Sequence, residues 1–364
     1  MRIIPWDEAR TTRYTAVIDV RSPSEFAEDH LPHAISLPVL DDAERAEIGT
    51  IYRQQCRFEA RRRGAITVAR NITSHLGSFF ADRPESDRFL IYCWRGGQRS
   101  RSMATILDAV GWRADVLRGG YKNWRAWIRD HLATQTPLFQ FHILAGLTGS
   151  GKSRVLRLLA ASGSQVLDLE ALGRHRGSLL GDEPGLAQPS QKHFESLLAT
   201  TLGQFDPHRP VWVESESKRL GRLWIPEPLW LAMQQGSVTE ISAPLTARAA
   251  FLATEYNHFQ NQPDDLAAKL ETLREPCGSQ TIATWRSLIS TSAWTELCAG
   301  LLERHYDPVY RRCHNYTAPQ QTIALDNLSP AELSRAAATL KAMEPATKGA
   351  VTQSDPSPLS HAHP

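Results

Sequence analysis

Short apolar runs alternate along this chain with stretches in which apolar residues recur every three or four positions. The short runs are typical of buried strands, and the periodic stretches predict amphipathic helices. We predict helices at 100–110, 245–273 and 282–304, and strands within 16–20, 30–38, 89–92, 114–117, 139–145, 166–170, 211–217 and 238–242, the last of which closes the second of two sheets. Because strands alternate with helices, the pattern predicts an α/β protein with parallel sheets.

The order of these elements divides the chain into two domains. Residues 1–133 form the first, 134–138 a short linker, and 139–344 a second domain with a parallel sheet and a helical C-terminal part. Each domain is long enough to bury its own core. Residues 345–364 contain proline, serine, threonine and histidine without apolar periodicity, and they predict a disordered tail.

The composition, with 41% hydrophobic and 22% charged residues, is that of an ordinary soluble protein. No run approaches the roughly 18 apolar residues of a membrane span, and the start of the chain lacks the features of a signal peptide. The five cysteines are scattered and form no CxxC pair. We therefore expect a cytoplasmic protein without a disulfide framework or a zinc site, and a monomer by default.

The net charge is only +2, but it is unevenly distributed. A basic insertion at about 49–70 holds a single acid, Glu59, against Arg53, Arg57, Arg61, Arg62, Arg63 and Arg70. Such a cluster can give a near-neutral protein a local positive face suited to RNA or anionic ligands. The alternative is an ordinary solvated helix face.

The run at 89–92 leads to Cys93, a turn with two glycines and a predicted helix. Backbone N–H groups and a helix dipole at this place favour a thiolate, and the same loop could hold a tetrahedral oxyanion against the sulfur. We predict that Cys93 accepts a sulfur-like atom from an anionic donor; the alternative is a buried, inert cysteine. The loop residues that would bind the donor are Arg95, Gly96, Gly97 and Arg99.

A second loop, GLTGSGKS at 146–153, matches the pattern G-x4-GK[ST] in full, between a predicted strand and a predicted helix. In such a P-loop the backbone N–H groups cradle phosphates, the lysine pairs with their charge, and the serine hydroxyl can bind Mg²⁺. The pattern thus predicts a di- or triphosphate site formed by Gly146, Gly149, Ser150, Gly151, Lys152 and Ser153.

Glu214 and Glu216 lie at the end of the predicted strand 211–217. They could hold Mg²⁺ or water opposite the P-loop, because alternate residues of a regular strand point the same way. The alternative is that only one of them faces the ligand. Stretches at 175–181, 188–195 and 214–221 are too polar for a core, so we expect them to be substrate loops.

The segments DVRSPSEF, HLPHAISLP, YCWRGGQRS and LRGGYKNW resemble a rhodanese domain over roughly the first 130 residues. His33 stands where that family usually has glycine, and the basic insertion is a larger departure. A rhodanese domain joined to a P-loop domain with HRGS-LG, QP-QK-FE and ESESKR-G is similar to the bacterial tRNA 2-selenouridine synthases. The insertion segment GTIYRQQCRFEARRRGA also resembles that family, and the likeness covers all of the chain except the tail.

This resemblance implies that 2-thiouridine at the wobble position of tRNAs for Lys, Glu and Gln becomes 2-selenouridine. Geranyl diphosphate would first alkylate the sulfur, and selenium from selenophosphate, carried as a Cys93 perselenide, would then displace the S-geranyl group. Cys56 is not expected to be catalytic. Mg²⁺ is a candidate cofactor and a selenophosphate-supplying enzyme a candidate partner. The residues expected to bind tRNA are Arg61, Arg62, Arg63, His175, Arg176, Lys218 and Arg219.

Two other functions stay open. One is a sulfurtransferase in which Cys93 carries a persulfide and the P-loop domain regulates it with a nucleotide. The other is a non-enzymatic tRNA-binding or sulfur-relay module with a relic P-loop, which the intact GKS of the loop disfavours. The sequence does not decide whether the P-loop binds geranyl diphosphate, a nucleotide or both.

Overall fold

The computed structural model describes residues 1–313 and 318–345, so all but the first residue of the predicted tail lies outside the described residues. The strands are β1 (Arg2–Ile4), β2 (Ala16–Asp19), β3 (Ala34–Ser36), β4 (Arg88–Tyr92), β5 (Arg113–Leu117), β6 (Phe141–Ala145), β7 (Gln165–Leu167), β8 (Val211–Glu214), β9 (Arg219–Leu220), β10 (Leu223–Trp224), β11 (Ser237–Ser242) and β12 (Gln321–Ala324).

The helices surround two parallel sheets and, in the part of the chain described, fill most of the C-terminal region, as predicted. They are α1 (Trp6–Ala9), α2 (Pro23–Glu28), α3 (Asp42–Gln54), α4 (Arg57–Leu76), α5 (Gln98–Val110), α6 (Gly120–Gln135), α7 (Lys152–Ala161), α8 (Leu169–Gly173), α9 (Gln191–Leu202), α10 (Glu227–Gln234), α11 (Leu245–Glu255), α12 (Pro263–Glu271), α13 (Arg274–Cys277), α14 (Ser279–Ser290), α15 (Trp294–Leu301), α16 (Asp307–Cys313) and α17 (Pro330–Ala342). None of the helices described is both long and apolar enough to cross a membrane.

The chain separates into two compact units, and each unit is made of several segments that are not consecutive in sequence. The first unit contains 1–138, 169–204 and 216–232, and the second contains 139–168, 205–215 and the described residues from 233 onward. Two segments that follow the P-loop in sequence therefore belong to the unit that holds Cys93. Both of these segments carry the polar loops singled out from the sequence.

The first unit is built on a five-stranded sheet with the order β1-β5-β4-β2-β3, in which all neighbours are parallel. Its central strand β4 has the sequence RFLIY, and four of its five side chains are buried. Of these, Phe89 and Ile91 pack with α4 and α5 side chains such as Ile72, Met103 and Leu107. The pattern of short apolar runs thus predicted this sheet, apart from the three-residue edge strand β1.

The second unit has a parallel sheet with the order β12-β11-β6-β8-β7. Its strands and the helices α7 and α17 share a buried core that includes Leu144, Val155, Trp212, Ile241 and Leu340. The prediction that 238–242 closes this sheet is wrong, because β12 lies outside β11. Only one of the four residues of β12 is buried, so its sequence QTIA carries little apolar signal.

Several predicted elements end earlier in the structure. The strand expected at 166–170 stops at Leu167 and α8 follows, and the strand expected at 211–217 stops at Glu214. The helix expected at 245–273 is divided at Tyr256, and Pro263 starts a new helix because proline fits the first helical position. The helix expected at 282–304 is interrupted at Ser292, whose φ is +55°.

The basic insertion folds as a helical hairpin formed by α3 and α4. Asp41 begins α3 with a capping box, in which its carboxylate accepts a hydrogen bond of 2.7 Å from the Glu44 N–H. Ile51, Ala60, Val68 and Ile72 are buried. In the turn before β3, His33 has a φ of 57°, a conformation that glycine adopts without strain, which explains why glycine is usual there in rhodanese domains.

Candidate active sites

Cys93 lies directly after β4 and is only 3% exposed. The Gly97 N–H, at the start of α5, donates a hydrogen bond of 3.3 Å to its sulfur, and the Ser100 hydroxyl lies 3.2 Å from the same atom. An amide donor and a hydroxyl thus already contact the sulfur from the helix side. This is the strand–loop–helix arrangement predicted from the sequence, and it suits a sulfur that carries negative charge.

The turn between β5 and α6, which contains Gly119 and Gly120, packs against the cysteine loop. The N–H groups of Tyr121 and Lys122 donate to the carbonyl oxygens of Cys93 and Trp94 at 2.9 and 3.0 Å. Gly120 has a φ of +57°, and a Cβ there would overlap the Cys93 carbonyl oxygen and lie 2.6 Å from the Gly96 nitrogen. The turn between β5 and α6 therefore fixes the cysteine loop through close backbone contact.

The two arginines predicted to bind the donor differ in their surroundings. The Arg99 guanidinium donates to the Glu25 carboxylate at 2.8 Å. Burial acts to raise the pKa of Glu25, but the hydrogen bond and charge of Arg99, together with the Ser22 N–H and the charge of Arg45, outweigh it, so the pKa is lowered. Arg95 is exposed, and no carboxylate of the described residues lies within 4.0 Å of its guanidinium. Of the two, Arg95 is the arginine available to an anion.

The P-loop in the second unit connects β6 to α7, as predicted. Gly146, Gly149 and Gly151 have φ values of 144°, 78° and 84°. At Gly146 a Cβ would clash with the carbonyl of Ile241 and the hydroxyl of Ser150, so only glycine fits. Ser150 is 1% exposed, and its hydroxyl has no hydrogen-bond partner within residues 1–313 and 318–345. The loop thus holds a buried, unused donor.

Lys152 and Ser153 are held by oxygens of the second unit. The Lys152 ammonium donates to the carbonyl of Gly146 at 2.8 Å, and the Ser153 hydroxyl donates to the Glu214 carboxylate at 3.0 Å. Glu214 is 3% exposed at the carboxyl end of β8. Glu216 follows after the strand has ended, in the first unit, where its carboxylate lies against Gly177. The strand ends at Glu214, so strand alternation does not set the direction of Glu216, and a shared Mg²⁺ or water site of the two acids stays a prediction.

Helices of the C-terminal region fix the P-loop, and sequence reasoning missed these residues. The Tyr310 hydroxyl accepts a hydrogen bond of 3.1 Å from the Gly146 N–H. Arg248 donates to the Thr148 carbonyl at 3.0 Å and forms a buried ion pair with Asp307 at 2.8 Å. A buried arginine on α11 and an acid on α16 were not recognisable from spacing, because they are 59 residues apart.

In the first unit, the three polar stretches meet around Gln188. Its side-chain amide donates to the carbonyls of Gly173 and Leu220 at 3.2 and 3.1 Å, and its oxygen accepts from the Arg222 N–H at 2.9 Å. His175 is buried, and its Nδ1 accepts the Gly177 N–H at 3.1 Å. Part of the polarity read as substrate binding therefore joins the loops to one another.

The cationic side chains of these loops also have protein partners. Arg176 donates to Glu183 at 2.7 Å, Lys218 is ion-paired with Glu227, and the Arg219 guanidinium lies 5.7 Å from the centre of the Trp224 ring. His175, Arg176, Lys218 and Arg219 thus belong to one polar cluster of the first unit. Their predicted role in tRNA binding remains a prediction.

Within the first unit, helix α9, which carries residues 191–195 of the polar stretch 188–195, contacts Asp29. This carboxylate is 0% exposed and accepts hydrogen bonds from Tyr121 at 2.9 Å and Ser196 at 3.0 Å, and the His193 ring lies 3.3 Å away. Sequence reasoning missed this contact, because its members come from widely separated segments.

On the hairpin, the three arginines predicted to bind RNA are not equivalent. Arg62 and Arg63 both donate to Glu59, at 2.9 and 2.7 Å, and these hydrogen bonds lower the pKa of Glu59 to about 2. Arg61 is exposed, and no carboxylate in the part of the chain described lies within 4.0 Å of it. Cys56 precedes α4 and is exposed.

Comparisons with known proteins match both halves of the chain. Residues 6–126 match the family model for the rhodanese-like domain, and residues 139–272 match the model described as the tRNA 2-selenouridine synthase AAA domain. Curated proteins named tRNA 2-selenouridine synthase are similar over most of the chain. The protein of Nitrosomonas europaea is 34% identical over 66% of this chain, that of Aeromonas salmonicida 34% over 66%, and that of Shewanella denitrificans 30% over 85%.

The matches differ in how much of each relative they cover. This chain spans 63% and 65% of the lengths of the Nitrosomonas and Aeromonas proteins, and 91% of the Shewanella protein.

Proposed function

The chain belongs to the tRNA 2-selenouridine synthase family, and on that premise we propose that it converts 2-thiouridine in tRNA to 2-selenouridine. The observation that carries this proposal is the pair of strand–loop–helix sites in one chain. One presents a buried cysteine whose sulfur accepts an amide hydrogen bond, and the other is a P-loop with an unused buried hydroxyl. We propose the wobble uridine of tRNAs for Lys, Glu and Gln as the target.

We assign the first step, S-geranylation, to the P-loop. The uridine sulfur attacks the first carbon of geranyl diphosphate, so that an S–C bond forms, a C–O bond breaks and diphosphate leaves. The unpartnered Ser150 hydroxyl and the loop's N–H groups are donors for the phosphate oxygens. The Lys152 ammonium, now on the Gly146 carbonyl, supplies the positive charge that stabilises the leaving group.

The oxygens beside the P-loop fit Mg²⁺. The Ser153 hydroxyl and the Glu214 carboxylate lie 3.0 Å apart, and Mg²⁺ prefers such oxygen ligands. When bound there, the ion would neutralise charge on the diphosphate. Glu214, buried at the end of β8, also orients the Ser153 hydroxyl toward the loop.

We assign the second step, selenation, to Cys93. Arg95 and the N–H groups at the start of α5 bind the phosphate oxygens of selenophosphate, and water takes its phosphoryl group, so that the P–Se bond breaks and selenide is released beside Cys93. The selenide displaces a small thiol from a mixed disulfide on the Cys93 sulfur, which gives the perselenide.

The perselenide attacks C2 of the S-geranyl uridine, so that a C–Se bond forms, the C–S bond breaks and geranylthiol leaves. The small thiol then breaks the Se–S bond, which releases 2-selenouridine and restores the mixed disulfide. Alkylation is required first because a neutral thiocarbonyl is a poor electrophile. An enzyme that supplies selenophosphate is the partner expected for this step.

The proposal is tested by incubating the full chain with tRNA containing 2-thiouridine and geranyl diphosphate, followed by selenophosphate. Mass spectrometry of the digested nucleosides should show S-geranyl-2-thiouridine after the first addition and 2-selenouridine after the second. The absence of both products would overturn the proposal. Persulfide formation on Cys93 from thiosulfate, independent of geranyl diphosphate, would instead support the sulfurtransferase.

A further inference from the structure

The most exposed large apolar side chains of the described residues lie on the α3–α4 hairpin. Phe58 is 74% exposed and Ile66 66%, and Tyr52, near the end of α3, is 44% exposed. The same hairpin buries Ile51, Ala60, Val68 and Ile72, so these residues form its core-facing side and the exposed residues lie elsewhere. A phenylalanine left in water loses the free energy that burial would provide, and because Phe58 and Tyr52 flank the same turn, they form a candidate binding surface.

Unpaired positive charge surrounds these aromatic rings. No carboxylate of residues 1–313 and 318–345 lies within 4.0 Å of the guanidinium groups of Arg53, Arg57 or Arg61. Arg62, Arg63 and Arg70, by contrast, are ion-paired with Glu59 or Glu44. The Arg57 guanidinium lies 5.6 Å from the centre of the Tyr52 ring. We call the set that flanks the turn of the hairpin the hairpin tip: Tyr52, Arg53, Arg57, Phe58 and Arg61.

We propose that the hairpin tip binds unpaired nucleotides of an RNA loop, with Phe58 and Tyr52 stacked on bases and the three arginines on phosphates. Unpaired bases are required because a duplex offers no free base face to an aromatic ring. This inference rests on the proposed function, which supplies an RNA substrate. It assigns to the hairpin tip the unpaired part of that substrate rather than its helical stems.

The arrangement of charge favours RNA over an anionic membrane surface. Arg61 and Arg62 follow Phe58 by three and four residues, so they lie beside it on the same face of α4. The apolar side chains therefore do not form a continuous stripe that could enter the acyl boundary of a bilayer. Isolated rings between cations are instead typical of proteins that bind single-stranded nucleic acid.

The test measures binding of the full chain to two RNA probes at one fixed salt concentration. One probe is a stem with an unpaired seven-nucleotide loop, as in an anticodon arm, and the other is a blunt duplex of equal length and charge. Phe58→Ala should weaken binding to the stem-loop about tenfold, the loss of one stacked base, and leave duplex binding unchanged. Arg61→Gln should weaken both and lower the log–log salt slope by about one unit.

Two matched variants separate stacking from general apolar contact. Phe58→Trp keeps a flat ring and should bind the stem-loop as the unmodified protein does, whereas Phe58→Leu keeps apolar volume without a π-face and should bind as weakly as Phe58→Ala. Ile66→Ala, two turns further along the same helix, should have no effect. Circular dichroism should show the same helix content in all variants, since these side chains are exposed.

Each other outcome contradicts the inference. If Phe58→Ala binds the stem-loop normally, or loses affinity equally for both probes, the tip does not read unpaired bases. If Phe58 is needed only for sedimentation with vesicles containing phosphatidylserine, the tip is a membrane contact. If the unmodified protein binds neither RNA, the proposed function itself fails, whereas normal binding with an inert Phe58 overturns this inference alone.

Discussion

The cysteine loop and the P-loop have the same plan but differ in what their polar groups contact. In the cysteine loop the Gly97 N–H is already directed at the Cys93 sulfur, and the loop carbonyls are fixed by the next glycine turn. In the P-loop, Lys152 and Ser153 contact protein oxygens, and the Ser150 hydroxyl has no hydrogen-bond partner among the described residues.

This difference indicates two ways of handling an anion. The cysteine loop is organised around an atom of the protein itself, so its donors can stabilise charge on whatever the sulfur carries. The P-loop contains no cysteine, and Lys152 and Ser153 can exchange their present partners for those of a ligand. The first site suits a covalent carrier and the second suits binding of a leaving group. The following predictions test that division.

The largest effect is expected from Cys93→Ser. A serine hydroxyl is not deprotonated near neutral pH, so it cannot take up selenium, and formation of 2-selenouridine should fall by a factor on the order of 10³ or more. S-geranylation should be unchanged, because that step needs no enzyme nucleophile. Nucleoside mass spectrometry after each step provides both measurements.

The exposed Cys56 provides the control for this variant. Cys56→Ser should leave both steps unchanged, since this residue only precedes α4. Selenation by Cys93→Ser at nearly the normal rate would show that Cys93 is structural.

Lys152→Ala should affect the opposite step. Loss of the ammonium removes a point charge from a partly dehydrated site, and geranylation should fall by about 10²–10³-fold. When the same variant receives pre-geranylated tRNA and selenophosphate, it should still form 2-selenouridine through Cys93. Rates of the two half-reactions, measured separately, give the result.

Two outcomes would contradict the division of labour for this variant. Loss of both half-reactions in a folded protein would mean that the P-loop binds a ligand needed throughout, such as a nucleotide. Retention of both would mean that the loop is a relic.

Much of both sites could be predicted because each is local in sequence. The apolar run before Cys93, the glycines after it and the complete GLTGSGKS pattern lie within short segments. The same few residues therefore indicate both the chemistry of each site and its place between a strand and a helix. The same local signals predicted the parallel sheets, apart from the three-residue β1 and the mostly exposed β12.

What could not be predicted depends on contacts between distant segments. Asp29 with Ser196, Gly120 with Cys93, and Arg248 with Asp307 are separated by 167, 27 and 59 residues. No periodicity links such pairs in one sequence. A polar side chain in a sequence can serve either ligand binding or contacts within the protein. Gln188 and Arg62 were predicted to lie in binding regions, and in the structure they hydrogen-bond to Leu220 and Glu59.

Gly120→Ala tests whether the cysteine loop is held in place by the turn between β5 and α6. The added Cβ would overlap the Cys93 carbonyl oxygen, and a φ of +57° is unfavourable for alanine. We expect selenation to fall by about tenfold to a hundredfold, because small displacements of a reacting atom are costly. Geranylation by the same sample should be nearly normal, which would show that the damage is local.

Gly77→Ala is the matched control within the first unit. Gly77 has a φ of −77°, and a Cβ there would meet only ordinary contacts at 3.8 Å. It should leave selenation and the melting temperature almost unchanged. Equal loss of both half-reactions in Gly120→Ala would instead indicate that the glycine stabilises the whole protein.

The smallest effect concerns the two arginines of the cysteine loop, which the sequence alone treats as equivalent. Arg95 has no carboxylate of the described residues within 4.0 Å, whereas Arg99 is held by Glu25 at 2.8 Å. Arg95→Gln should therefore raise the KM for selenophosphate by about threefold to tenfold, the effect of one partly exposed charge–phosphate contact, with little change in kcat. Arg99→Gln should leave this KM nearly unchanged and lower the melting temperature by a few degrees, because it leaves the half-buried Glu25 without its main partner.

Steady-state kinetics with pre-geranylated tRNA and a thermal melt of each variant provide the comparison. A larger KM effect for Arg99→Gln than for Arg95→Gln would mean that the ion pair opens to receive the donor, and the cysteine loop would then exchange partners as the P-loop does.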